Sequence, residues 1–551
     1  MRALRIFFLS LLLAFIGLIL YFVFRPRETV GARFRPVSGK SFQLRFQYTE
    51  MSGKKVKYTA IADQYLVDSR NFTHLLGNIK ITIYTSDTVI TAEQCTINPA
   101  RTRYEFKGKV FLQGKGEEMS TEDAIYMPKK DVVLVRSSLQ FKRGKMEGRA
   151  ARGRFLLKEK LAIFINPVFK IGEVSIVGAR LELHNSENVG FLKGRPAGIY
   201  LSSRTLHGPL LKFFLREGEI EKVEAVKGGR LSLGEGEGFL LAKWYEVVID
   251  KGIKAKNTFI VKDDLNLKAD QVSIEDRTKV IRAEGNLLIK GKNFRVRASS
   301  GEIEKERMLL QGEVVITKKD MKIEASSAEI SRDGRKLSME EARYVSGDLS
   351  LAASTIDVDG EDVEASGKVE GKKGDTVFKC KRLIRRDGKE FLEGKVRIVK
   401  QGNLIKGRKA TIEGKTFSIS DGSISTGEGY RVKGKKIIYV GDRIEVLEGA
   451  SIKGEELSLL ASRAVLYLKE GKLEKLEAEE VKELNLRDST GEANFLDYDF
   501  SKKIAILKGH AKIDSPTEGV LKGEKIIFYV DEGRFEVTGR GRTSSRIKGE
   551  K

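Results

Sequence analysis

From about residue 42 onward, apolar and polar positions alternate in short runs punctuated by glycine. In the stretch 310–316, Leu310, Gly312, Val314 and Ile316 fall on one side, Gln311 and Glu313 are polar, and Val315 breaks the rule. In 392–398, Leu392, Gly394, Val396 and Ile398 alternate strictly with Glu393, Lys395 and Arg397. A period of two with Val, Ile, Phe and Tyr predicts strands with one dry face and one wet face. The unit recurs around Gly77, Gly108, Gly285, Gly312, Gly367, Gly394 and Gly509, with Gly449 a degenerate copy. Gly77 to Gly108 is 31 residues, and Gly285 to Gly312 and Gly367 to Gly394 are each 27. Gly312 to Gly367 is 55, two periods with one glycine lost near Met339. Between the glycines lies a second half-motif, as in Ala325-Ser326-Ser327-Ala328-Glu329-Ile330, followed by a tight polar turn such as Arg332-Asp333-Gly334. Each unit of about 28 residues reads strand, glycine turn, strand, turn, and helical periodicity is weak. The expected fold is all-β: an elongated antiparallel sheet of sequentially paired strands.

An apolar sheet face cannot stay open to water, so the sheet must fold until its two halves face each other. A glycine on the apolar side allows that bend. The residues expected to point inward are Phe106, Val110 and Leu112, then Leu287, Ile289, Leu310, Val314 and Ile316, then Leu392, Val396 and Ile398, and finally Leu507, Ala511 and Ile513. Two readings of these positions stay open. They form either the filled core of a β-sandwich or solenoid, or a continuous hydrophobic trough for acyl chains. Small inward residues such as Ala283, Ala365 and Ala511 favour the trough.

The amino-terminal pattern is different. Residues 6–24 are almost uniformly apolar, with Ile6, Leu11, Phe15, Leu20 and Phe24 spread along them. As a helix they span about 28 Å, close to the hydrocarbon thickness of a bilayer. Arg2 and Arg5 precede the run, Arg25-Pro26-Arg27 closes it, and no small-x-small cleavage site follows. An uncleaved anchor is expected, with a cleaved signal peptide as the alternative. Flanking charge alone does not fix its orientation. A chain of 551 residues exceeds one ordinary core. The organisation predicted is a tail at 1–5, an anchor helix at 6–24, a linker at 25–41, β-structure at 42–180, a less regular β junction at 181–250, and a β-repeat region at 251–551.

A formal net charge of +24 favours anionic partners: nucleic acid, anionic lipid or phosphorylated glycolipid. Nucleic-acid binding needs a concentrated basic patch with stacking aromatics, and none stands out. Two cysteines, Cys95 and Cys380, rule out a disulfide scaffold and are expected to be free and buried. Four scattered histidines argue against a histidine-built metal site, and no cofactor is expected. Gly39-Lys40-Ser41 and Gly414-Lys415-Thr416 lack the earlier glycine of a phosphate loop. No catalytic constellation can be singled out, so an enzyme is not expected. Trp244, the sole tryptophan, is assigned to the core, and His74 and His510 to the surface or rim.

An anchor followed by many Gly-x-(Val/Ile/Leu)-x-(Ile/Leu) units resembles the lipopolysaccharide (LPS) transport bridge family. That family includes the membrane-anchored LptC, the soluble LptA and the OstA-type domains. Residues 104–171 look most like the anchored member, through Tyr104-Glu105-Phe106-Lys107-Gly108-Lys109-Val110, Met119-Ser120-Thr121-Glu122-Asp123-Ala124-Ile125-Tyr126 and Ser138-Leu139-Gln140-Phe141. The resemblance implies an LptC-like β-jellyroll at 42–180 and an LptA/OstA-like bridge at 251–551, each a sheet folded like a V (a β-taco). It implies a single-pass inner-membrane protein with its bulk in the periplasm, sheltering LPS acyl chains. The implied partners are LPS, an LptB/LptF/LptG-type ABC transporter, and an outer-membrane LptD-type translocon or a further LptA-like protein. If every residue after the linker stood in a rung, the sheet would reach roughly 170 Å. Two competing functions remain: a phospholipid-conducting bridge resembling the AsmA type, and a structural β-repeat envelope protein with a filled core.

Overall fold

The computed structural model describes residues 41–539 apart from residue 235, with side chains from residue 44 on. The expected anchor with Ile6, Leu11, Phe15, Leu20 and Phe24, and most of the linker, lie outside the described residues. Among the described residues every regular element is a strand, and no helix is long and apolar enough to cross a membrane. These strands fall into two compact units that part between Phe164 and Ile165.

Within each unit the strands pair antiparallel, most with the neighbour in sequence. In the first unit Lys55–Val67 pairs with Thr73–Ile83, that strand with Thr88–Ile97, and that one with Tyr104–Gly114. The next strand, Glu117–Met127, meets a partner split in two, Val132–Val135 and Leu139–Arg143. At the split, Ser137 Oγ lies 2.7 Å from Thr121 Oγ1 and accepts the Asp123 amide at 3.1 Å. In the second unit the same meander runs strand by strand from Phe239–Val248 to Gly519–Tyr529 and ends on the half-length Arg534–Thr538. Residues 181–250 are strands too, among them Val189–Tyr200 and Thr205–Arg216, paired across a register shift between Lys193 and Ala197.

Each long strand bends near its middle. In Arg307–Lys318 the buried positions are Met308 and Leu310 before the bend, Val314 and Ile316 after it. The glycine at the bend, Gly312, has φ +73°, and the following Glu313 has φ +48°. Two successive left-handed residues break the ladder, and the register shifts between Gln311 and Val314. This is a bulge that redirects the strand. It recurs at Gly77-Asn78, Gly108-Lys109, Gly285-Asn286, Gly367-Lys368, Gly394-Lys395 and Gly509-His510. Only glycine enters this region without a Cβ penalty, which explains the repeat's one fixed letter. The missing glycine near Met339 leaves a bend all the same, with Glu341 at φ +48°. Gly449 lies between two short strands, Arg443–Leu447 and Ala450–Lys453, where the bend has become a break.

The second half-motif bends differently. In Met321–Ser331, Ala325 and Ala328 are both buried, with Ser326 and Ser327 between them, so the inward set changes parity by one residue. Ser326 Oγ donates to the Glu340 carbonyl at 3.0 Å, and Ser327 Oγ to the Glu340 carboxylate at 2.9 Å. Trp244 is not in the core. It is half-buried on the outer face, its ring 5.7 Å from Lys256 Nζ, while its neighbour Tyr245 is the buried one. The alternation of 239–248 puts odd positions after 243 inward, which leaves the tryptophan outside.

Candidate functional site: the apolar interior and its seam

The bends divide every long strand into two halves, and the buried side chains of both halves face one interior. All the residues expected to point inward do so. Phe106, Val110 and Leu112 lie in the interior of the first unit. Leu287, Ile289, Leu310, Val314, Ile316, Leu392, Val396, Ile398, Leu507, Ala511 and Ile513 lie in that of the second. The most open of them, Leu112, is only 5% exposed. Val315 sits half-buried on the outer face between Arg297 and Glu324, which accounts for its break in the alternation. Ala283, Ala365 and Ala511 are buried as well.

Because successive strands run in opposite directions, the turns alternate between the two long edges of the folded sheet. In the second unit one edge carries the turns near residues 263, 319, 374, 401, 428, 455 and 487. The other carries those near 276, 333, 387, 414, 441, 471, 501 and 531. Side chains from one edge reach the other. Arg204 pairs with Asp276, and Arg332 with Asp263. Lys318 Nζ donates to the Gly334 carbonyl at 3.1 Å, and a Cβ on Gly334 would fall 2.5 Å from the Phe294 ring. Lys373 Nζ lies 2.6 Å from a carboxylate oxygen of Glu390, which is fully buried. Asn403 Nδ2 donates to the Gly471 carbonyl at 3.3 Å, and the Leu473 amide donates to Glu428 at 2.9 Å. Lys503 bonds Glu456 at 2.8 Å, and Arg487 bonds Asp531 at 2.6 Å. These contacts close the folded sheet along a seam opposite the bends. At Arg204 the seam bounds a cavity of about 570 Å³ lined in part by Ile171, Leu201, Ile220 and Val247.

The seam was not foreseen from the sequence. Its residues sit in polar hairpin turns that look like ordinary loops, and partners such as Arg204 and Asp276 are far apart in the chain. The interior is apolar and closed to water, and polar edges separate it from solvent. Burial pushes the Tyr439 phenol at the seam above its ordinary range. Cys95 and Cys380 are free and buried, and burial raises both thiols, Cys380 to about 11. Among the described residues no group of His, Cys, Asp and Glu is placed to hold a metal ion.

Comparison with known families bears on this geometry. Residues 289–418 and 382–534 each match the family described as LptA/(LptD N-terminal domain) LPS transport protein. Both stretches lie in the second unit. No curated protein matches the chain. Residues 289–534 of the second unit are thus similar, in two overlapping stretches, to LPS transport proteins of that family.

Proposed function

We propose that this protein is a membrane-anchored bridge of LPS export, in which acyl chains travel along the apolar interior between the two halves of the folded sheet. The observation that carries the reading is that interior. In the repeats that match the LPS transport family, every inward position is apolar and the polar residues are held to the outer face and the seam. On this reading residues 6–24 anchor the chain in the inner membrane and the strands stand in the periplasm. Residues 42–180 play the LptC-like part and 251–551 the LptA/OstA-like part. The energy comes from an LptB/LptF/LptG-type ABC transporter. The outgoing lipid passes to an LptD-type translocon or a further LptA-like protein.

The interior is closed in this state, with Leu310, Val314 and Ile316 each 1% exposed. Lipid entry therefore requires the halves to part. The same closed packing favours a second reading, a structural β-repeat protein whose core is simply full. Photocrosslinking in cells separates the two. A photoreactive residue at inward Val314 or Val396 is expected to capture LPS, while outward Glu313 or Lys395 captures none. Capture of phospholipid at the inward sites would turn the reading toward an AsmA-like bridge. A correctly localised protein that captures no lipid at either inward site would leave the filled core standing.

A further inference from the structure

Lys400 differs from the paired cations of the seam. It ends the strand Lys389–Lys400 on one edge and is buried, with 6% of its surface exposed. Seam cations at 204, 332, 373, 487 and 503 each meet a carboxylate. Lys400 has no ion pair among the described residues. Its ammonium lies instead over two rings from the other edge, 4.7 Å from the centre of Phe417 and 5.1 Å from that of Tyr439. Beside it the seam is built from uncharged groups. Tyr439 donates its hydroxyl to Gln401 Oε1 at 3.2 Å, and Gly471 approaches so closely that a Cβ there would fall 2.7 Å from the Gln401 carbonyl oxygen. Asn403 is fully buried, and its Oδ1 accepts no hydrogen bond. Asp375 and Asp442 add to the effect of burial on the Tyr439 phenol through space, and among the described residues neither forms an ion pair with Lys400.

A lysine buried along its stem, with its ammonium resting on ring faces, lacks the attraction of a counter-ion. An anion that reached it would gain a charge-assisted bond at the edge of the dry interior. The orphan acceptor at Asn403 suits a ligand that also donates, such as a sugar hydroxyl or a protonated phosphate oxygen. The strand that holds Lys400 falls where the two family matches overlap, and apolar Ile398 stands two residues away in the interior.

We propose that Lys400, framed by Phe417, Tyr439 and Asn403, is a phosphate-binding station on the seam, taking the phosphate of an acylated glycolipid whose chains lie in the adjoining interior. The inference rests on the lipid-conducting reading above and adds a fixed stopping point for the headgroup.

The test uses the full chain in detergent micelles, with two probes: bisphosphorylated lipid A and its enzymatically dephosphorylated form. Lys400→Met keeps an unbranched side chain one atom shorter and removes the charge. It is expected to weaken binding of the phosphorylated probe by about tenfold, the size of one bond to a charged group, and to leave the dephosphorylated probe unchanged. It is also expected to raise the denaturation midpoint, because an unpaired buried cation is gone. Lys400→Arg restores discrimination between the probes. Inorganic phosphate added as competitor displaces neither probe from the wild type, because it brings no acyl chains. Displacement of the phosphorylated lipid by inorganic phosphate at comparable concentration would overturn the assignment to a lipid headgroup. Equal binding of both probes by wild type and Lys400→Met would overturn the station while leaving the lipid interior intact. Binding of neither probe by the wild type would overturn both readings.

Discussion

Inside the first unit, Tyr58 and Tyr104 share a buried hydrogen bond between their hydroxyls, and the Tyr126 ring lies 6.0 Å from that of Tyr104. Burial pushes the Tyr58 phenol from 10.0 up to about 12, and raises Tyr104 and Tyr126 further still. The fold thus favours the neutral phenols. The contribution of Tyr58 to stability is complete below the unfolded value near 10 and is lost as pH rises through its folded value near 12. Alkaline titration followed by phenolate absorbance is expected to show these three tyrosines ionising only together with the loss of tertiary structure. Early, independent ionisation would contradict the packing. The pair Lys373–Glu390 makes a second expectation. Glu390→Gln leaves Lys373, 16% exposed, without its counter-charge and is expected to cost about 3–5 kcal/mol in a urea melt. The double change to Met and Leu at these positions is expected to be close to neutral.

At the scale of the strand, the bend decides everything. Gly312 and Gly360 share nearly the same left-handed backbone, at φ +73° and +67°. A Cβ on Gly360 meets nothing within 4 Å, whereas one on Gly312 would fall 2.7 Å from Ser299 Oγ. Gly360→Ala is expected to cost about 1–2 kcal/mol for conformation alone. Gly312→Ala is expected to cost measurably more, read as a lower urea midpoint at unchanged slope. Strands, bends and turns were legible in the sequence because each is written locally: period two for the strand, glycine for the bend, Asp-Gly for the turn. The left-handed state of the next residue was not legible, since Lys109, Glu313 and Lys395 have no intrinsic taste for it and are held there by the bulge. Nor was the glycine-free bend at Glu341, nor the change of parity at Ser326-Ser327, where hydrogen bonds to the neighbouring strand do the work. Trp244 lies outside because the phase of its strand, not the size of its ring, sets which face it takes.

At the scale of the whole second unit, the contacts that matter join residues far apart in sequence, such as Asn403 with Gly471, and no local pattern announces them. The inward residues were predictable from phase, but the closed seam follows only once the sheet has folded. The alternation of edges has one more consequence, and it concerns growth. Residues 319–346 form two strands and leave from the edge at which they began, and the two-residue turns Lys319-Asp320 and Gly347-Asp348 both open on a left-handed residue. The strand Leu349–Asp359 repeats the plan of Met321–Ser331 at an offset of 28, with buried Ile356 for Ala328 and a half-buried Ala353 for Ala325. Excising 319–346 is therefore expected to give a shorter protein that still melts cooperatively, the turn at Gly360 taking the place of the one at Gly334. Removing a single strand would send every later turn to the opposite edge and leave each seam residue facing its own kind of edge. Such a chain counts in twos: evolution can lengthen or shorten it by whole pairs of strands without redrawing its cross-section, and never by one.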